Sequence, residues 1–255
     1  RDGYWSVFCK DSYSGQIVYC IEPGVHCATG DLNSAYGESF WDSYPSSLNP
    51  TISPTAIKAY IGRIMLYGWQ GNGDTGRTDE NELAAQIATQ LLVWETVVGE
   101  RDADFNKVSS QFNHVWGSSQ GYNNVIEMIR DDHPLRSQIF SYYDQIESAV
   151  QQHTMLPSFF NRSSAAAGSY ELKWNGTNYS VTLTDTNGVL DLFDFQKAGF
   201  DISRNGNTLT ISASTLPEQE TTVIGAGYIV GDKNSIAVFQ PQGIGKQVCQ
   251  TSIHT

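Results

Sequence analysis

Cys20 is the residue in this chain with the most chemistry to offer. It sits in Tyr19-Cys20-Ile21-Glu22-Pro23-Gly24. Two distant segments accompany it. One is Thr89-Gln90-Leu91-Leu92-Val93-Trp94, and the other runs from Val238-Phe239-Gln240 to Lys246-Gln247-Val248-Cys249. A cysteine thiolate held against a glutamine side chain can attack its amide and expel ammonia. The product is an internal thioester, an electrophile stored in the protein. An isolated amide resists this attack. The fold must therefore hold the pair at near-attack distance, exclude water and stabilise the oxyanion. Gln247, placed after a Pro-Gln-Gly-Ile-Gly bend and before Val248, is one candidate acyl donor. Gln240, after Val238-Phe239 but before Pro241, is the second.

These three segments together resemble the thioester domains of Gram-positive surface adhesins and pilus tips. That family carries an aromatic-Cys-hydrophobic segment, a Thr-Gln-x-x-hydrophobic-Trp helix and a late strand bearing the bond-forming glutamine. The resemblance implies a thioester between Cys20 and Gln247. Tyr19 would shield it, Thr89 would position the helix, Gln90 would offer hydrogen-bond donors and Trp94 would pack beside the bond. An amine, such as a lysine on a host surface or extracellular-matrix protein, would open the bond and leave an isopeptide link. This is single-turnover covalent binding rather than enzymatic catalysis. The resemblance calls for no cofactor and no metal. It implies an extracellular, cell-wall-anchored protein of which this chain is a part.

Two other classes stand beside it. Cys20 could be the nucleophile of a cysteine hydrolase or transamidase, with His26 or another histidine as base. Alternatively, the chain could be a non-covalent binding module stapled by disulfides. Its four cysteines, Cys9, Cys20, Cys27 and Cys249, allow three ways of making two bridges. If Cys20 is consumed by a thioester, one disulfide at most remains. Residues alternate faces along a strand, so Gln247 and Cys249 share a side. A bridge from Cys249 to Cys9 or Cys27 would then hold the reacting pair in register. Zinc finds little support: no CxxC occurs, and His26-Cys27 is the only Cys/His adjacency.

Bulk composition narrows the partners. The chain has 255 residues, 40% of them hydrophobic and 12% aromatic, enough for a full core. Its formal net charge is −12 with only 15 Lys and Arg, so nucleic acid is a poor partner. The sequence pI of about 4.7 agrees. A charged fraction of 16%, with abundant Ser, Thr, Asn, Gln and Tyr, fits an extracellular surface. No apolar run reaches the length of a membrane span. Neither a signal peptide at Arg1 nor a sorting tail after Thr255 is visible, which reads as an excised mature domain.

The elements that must position Cys20 follow from periodicity. Residues 1–30 read as strands around a Ser14-Gly15 turn, and 30–52 as loop. Ser53-Pro54 opens a helix carrying Ile57, Ile61, Ile64 and Met65. Asp79 and Glu82 have capping-box spacing before a helix over 79–98. That helix is apolar around most of its girth and should be buried, with Gln86, Thr89 and Gln90 as its polar stripe. Further helices are expected at 120–131 and from Pro134 to Val150. Hairpins follow around Asn175-Gly176 and Asn205-Gly206, then strands near 222–230, 235–240 and 246–253. The fold class is α+β. One domain over 1–255 would have a sandwich- or barrel-like β framework (about 1–30 and 169–255) and an inserted helical block (about 53–155). The N-terminal strands are expected to join the last ones.

Three motifs carry less. Gly71, Gly73 and Gly76 fit G-x-G-x-x-G but lie between helices. Gly117-Ser118-Ser119-Gln120-Gly121 fits a nucleophile elbow without the strand–helix alternation of a hydrolase. Asn161, Asn175 and Asn178 begin sequons that a bacterial protein leaves idle.

Overall fold

The computed structural model describes residues 9–10, 17–21, 23, 33–36, 39–42, 49, 51–71, 79–109, 124–161, 168–216, 218, 224–229, 236–241 and 249–252. It is a mixed α+β structure with antiparallel sheets. The chain divides into two compact units. The first comprises residues 1–151 and 232–255, the second residues 152–231.

The first unit holds β1 (Cys9–Lys10), β2 (Ile17–Cys20), β3 (Asn33–Tyr36), α1 (Ser39–Asp42), α2 (Pro54–Tyr67), α3 (Glu80–Val97) and most of α4 (Arg136–Thr154). A 3-10 turn lies at Val125–Met128. The late strands β10 (Ile236–Pro241) and β11 (Cys249–Ser252) return to this unit. Sheet order is β1-β2-β11-β10-β3. The N-terminal strands thus join the last strands of the chain, as expected. The 30–52 segment departs from its loop reading. It contributes β3 and α1, each four residues long and too short to display a period.

Helix starts follow the local chemistry. The Ser53 hydroxyl accepts from the Ala56 N–H at 3.2 Å, with Pro54 at the first helical position. The expected capping box opens α3: Asp79 accepts from the Glu82 N–H at 2.8 Å, and Glu82 accepts from the Asp79 N–H at 3.3 Å. Two acidic residues in that first turn suit the positive end of the helix dipole. Helix α4 begins two residues after Pro134 and runs past Val150 to Thr154. Among the described residues, the 120–131 segment supplies only the 3-10 turn. The core packs Ile17, Tyr19 and Ile21 of the β2 segment and Val238 of β10 with α2 and α3. Ile57, Ile61 and Ile64 come from α2, and Ala88, Leu91 and Leu92 from α3.

The second unit contains two small sheets. One is ordered β4-β5-β8-β7 from β4 (Lys173–Trp174), β5 (Tyr179–Thr184), β7 (Asp201–Asn205) and β8 (Thr208–Ala213). The other pairs β6 (Phe193–Gln196) with β9 (Gly225–Tyr228). The Asn205-Gly206 turn joins β7 to β8, with Gly206 at φ 53. Its core is separate, built on Leu183, Leu190, Phe193, Leu209 and Ile211. The 169–255 strands are therefore distributed over three sheets, each unit closing its own core.

Candidate functional site

Strand β2 alternates buried and half-buried residues from Ile17 to Cys20. Ile17 and Tyr19 face the core, while Val18 and Cys20 lie on the other side, half-buried. Cys20 is opposite Cys249, and Tyr19 opposite Gln250, across the antiparallel β2–β11 pair.

Helix α3 bonds the Cys20 main chain through the Gln90 side chain. The Cys20 N–H donates to Gln90 Oε1 at 2.8 Å, and Gln90 Nε2 donates to the Cys20 carbonyl at 2.8 Å. Gln90 thus presents an amide to Cys20 much as a neighbouring strand would. The resemblance has Gln90 offering hydrogen-bond donors near the bond. The structure engages one donor and one acceptor of Gln90 with the main chain of Cys20. These bonds hold the Cys20 main chain against α3.

Thr89 holds the other end of the arrangement. Its hydroxyl donates to the Ala85 carbonyl at 2.8 Å and accepts from the Trp69 N–H at 2.9 Å. The Tyr19 hydroxyl donates to the Trp69 carbonyl. Thr89 and Tyr19 therefore grip one peptide corner, just after α2, from two sides. Burial pushes the Tyr19 phenol pKa well above its ordinary value, with the Thr89 hydroxyl opposing. Tyr19 stays a neutral donor. Its place is an anchor on the core face of β2, where the sequence reading gave it a shielding role beside the sulfur. Gly68 makes the corner possible. A Cβ there would stand 2.6 Å from both the Ile64 carbonyl oxygen and Thr89 Cγ2.

Trp94 lies one helical turn beyond Gln90, hence on the same face. It is half-buried and packs against the core. Further along α3, Glu95 is fully buried, and so is Arg101. Arg101 Nε donates to Glu95 Oε2 at 2.8 Å, and Lys107 Nζ to Glu95 Oε1 at 2.8 Å. Tyr143 and Glu147 of α4 complete the group through hydrogen bonds with Arg101. Burial alone would lower the Arg101 pKa, but Glu95, Tyr143 and Glu147 hold it above its ordinary value. The sequence reading missed this cluster. The signal was available: a glutamate on an otherwise apolar helix needs a cation, and Arg101 follows six residues later.

The late glutamines are placed unequally. Gln240 is on β10, opposite Ser34 of β3, with β11 between its strand and that of Cys20. Its neighbour Phe239 is the residue in line with Cys249 and Cys20. Gln247 lies outside the described residues, two positions before Cys249. Cys27, His26, Ser119, Gly73 and Gly76 also lie outside them. Among the described residues, no group of three or more His, Cys, Asp and Glu could hold a metal ion. Nor does any described helix have the length and apolarity to cross a membrane.

The family model for the thioester domain matches residues 17–151, just over half of the chain. The chain belongs to the thioester domain family. No curated protein and no solved structure matches it. The thioester-domain match takes in Cys20, Thr89, Gln90 and Trp94 and ends before β10 and β11. It also ends at the last residue of the first unit's leading segment. Membership is consistent with covalent adhesion by a surface protein.

Proposed function

We propose that this chain is a covalent adhesion domain in which Cys20 and Gln247 form an internal thioester that a lysine amine on a host surface or matrix protein opens. The observation that carries the reading is the Gln90 amide on the Cys20 main chain, both bonds at 2.8 Å. Holding a nucleophile by its own peptide groups fixes its position without occupying the sulfur. This is what an intramolecular attack on a poor electrophile requires.

The Cys20 sulfur adds to the Gln247 side-chain carbonyl carbon. The carbon–nitrogen bond breaks, the thiol proton goes to the leaving nitrogen, and ammonia departs. Later the lysine nitrogen attacks the same carbon. The carbon–sulfur bond breaks, Cys20 takes back a proton, and an amide joins the two proteins. Joined to its target, the domain has reacted once and does not turn over as an enzyme does. Gln247 is favoured over Gln240 because Cys249, two residues on in sequence, is directly opposite Cys20, whereas Gln240 belongs to a strand beyond β11. Trp94, on the Gln90 face of α3, would limit water near the bond. In this reading the domain is displayed outside the cell as part of a longer, wall-anchored protein.

Intact mass spectrometry tests the proposal. Native protein should be one ammonia lighter than its sequence, apart from hydrogens lost to disulfides. Methylamine should add to it stoichiometrically, and Cys20→Ala should abolish both effects. A native mass without the ammonia deficit would end the reading.

A further inference from the structure

Which edge of β2 carries the Cys20 hydrogen bonds decides what kind of pair Cys20 makes with Cys249. In an antiparallel ladder, the N–H and C=O of one residue point to the same edge of the strand. Opposed residues alternate between pairs that exchange both bonds and pairs that exchange none. Both main-chain groups of Cys20 are engaged by Gln90 at 2.8 Å. They are therefore directed away from Cys249. On the edge facing away from β11, β1 pairs Cys9 with Val18, two residues before Cys20. The Gln90 amide occupies that same edge at Cys20. Cys20 and Cys249 are thus a pair of the second kind. Such pairs bring their Cα atoms to about 4.5 Å and their side chains closest together. That separation falls within the roughly 4.4–6.8 Å a disulfide spans. Cys9, by contrast, is separated from Cys249 by the whole of β2. Two strand spacings amount to about 10 Å, beyond a disulfide's reach.

The geometry points to a cross-strand disulfide between Cys20 and Cys249 as a second covalent state of this site, exclusive of the thioester because both bonds use the Cys20 sulfur. Its consequence rests on the proposed function. Once an amine has opened the thioester, the released Cys20 thiol stands opposite Cys249. Left as a thiol, it can attack the new amide and undo the adduct. Oxidised, it cannot, and the covalent attachment becomes permanent. The oxidant is a small-molecule disulfide such as oxidised glutathione. One protein thiolate breaks its S–S bond to give a mixed disulfide and one thiol. The second protein thiolate displaces the other half as a thiol, leaving the protein S–S bond. Two electrons pass from the cysteine pair to the oxidant.

The test uses two preparations of the full chain. One is wild type opened with methylamine, and the other is Gln247→Ala, which lacks the favoured acyl donor. Each is incubated with oxidised glutathione, alkylated and digested without reduction. The Cys20 and Cys249 peptides should be recovered joined, and Cys249→Ser should leave Cys20 alkylated. Recovery of Cys20 and Cys249 both alkylated, or of Cys249 joined to Cys9 or Cys27 with Cys20 alkylated, would overturn the inference. Should Gln247→Ala not fold, the methylamine arm decides alone. The mass of untreated wild type separates the two readings. Without an ammonia deficit the thioester reading fails, and the joined peptides still decide the disulfide. With the deficit present and Cys249 bonded elsewhere, only the disulfide fails.

Discussion

Gln90→Ala removes the side chain through which α3 holds the Cys20 main chain. Two hydrogen bonds at 2.8 Å are lost. Each contributes about 1 kcal/mol net, so the fold should lose about 2 kcal/mol. Cys20 is half-buried, so water can reach the vacated groups and the larger penalty of a sealed, unsatisfied pair does not apply. About 2 kcal/mol is roughly a thirtyfold change in the folding equilibrium, measurable by urea denaturation and short of unfolding the domain. The effect on bond formation should be larger. A shift of about 1 Å in a reacting atom can cost on the order of 100-fold in rate. Intact mass should therefore show a folded protein in which the ammonia deficit is largely missing. Gln90→Glu provides a second arm. It keeps an acceptor for the Cys20 N–H but sets a carboxylate oxygen against the Cys20 carbonyl, so it should form no more thioester than alanine does. If Gln90→Ala carries the full deficit and opens with methylamine at the wild-type rate, the positional role assigned to Gln90 is wrong.

Three further outcomes follow from the packing around α3. Trp94→Ala should cost about 2 kcal/mol in urea denaturation, below the roughly 3–5 of a fully buried aromatic, because Trp94 is only half-buried; it should also speed hydrolysis of the thioester. Arg101→Met strands the buried Glu95 carboxylate with Lys107 and Tyr143, and should cost about 3–5 kcal/mol by the same measurement. Glu100 carries the pH prediction: burial, then the Glu95 carboxylate, push it from 4.5 up to about 8, against the Val125 N–H and the charges of Lys107 and Arg101. Between those values the unfolded state is ionised and the folded state is protonated, so Glu100 makes stability fall as pH rises, by up to about 1.4 kcal/mol per unit. Glu100→Gln keeps an acceptor for the Val125 N–H and should flatten that slope; an unchanged pH–stability curve between 5 and 8 would contradict the assignment.

What the sequence disclosed tracks how local each signal is. The capping box at Asp79 and Glu82, the proline start of α2 and the Asn205-Gly206 turn depend on neighbours within four residues, and each forms as expected. The Cys20–Gln90 meeting spans seventy residues, and no period in the chain encodes it. It was reachable only through the motif resemblance. The role of Gln90 was harder still. Type and helical face place an amide near Cys20, but which groups of Cys20 it bonds depends on the depth and angle at which α3 meets β2. Tyr19 shows how strand geometry bears on such an expectation. Adjacency in sequence suggested adjacency to the sulfur, whereas strand alternation sends neighbours to opposite faces. Division into two units was obscured because both contain antiparallel strands of similar composition.

The buried ionic cluster and the Thr89 corner make sense together. For Gln90 to meet both groups of Cys20, α3 has to be fixed in rotation and along its axis. One residue of slippage turns the helix by about 100° and moves it 1.5 Å, enough to carry the amide off the strand. Apolar packing alone fixes this poorly, because α3 is apolar around most of its girth and Ala, Leu and Val faces can interchange. Directional bonds at two separated points do fix it. One residue before Gln90, Thr89 is tied to the Trp69 peptide. Five residues after it, Glu95 is tied to Arg101 and Lys107. Asn49 adds a third tie, donating to the Thr96 carbonyl at 2.7 Å. A buried ion pair contributes little net stability, since desolvation offsets most of its attraction. Its value here lies in specifying a register: the pinned helix presents Gln90, and not a neighbouring leucine, to Cys20.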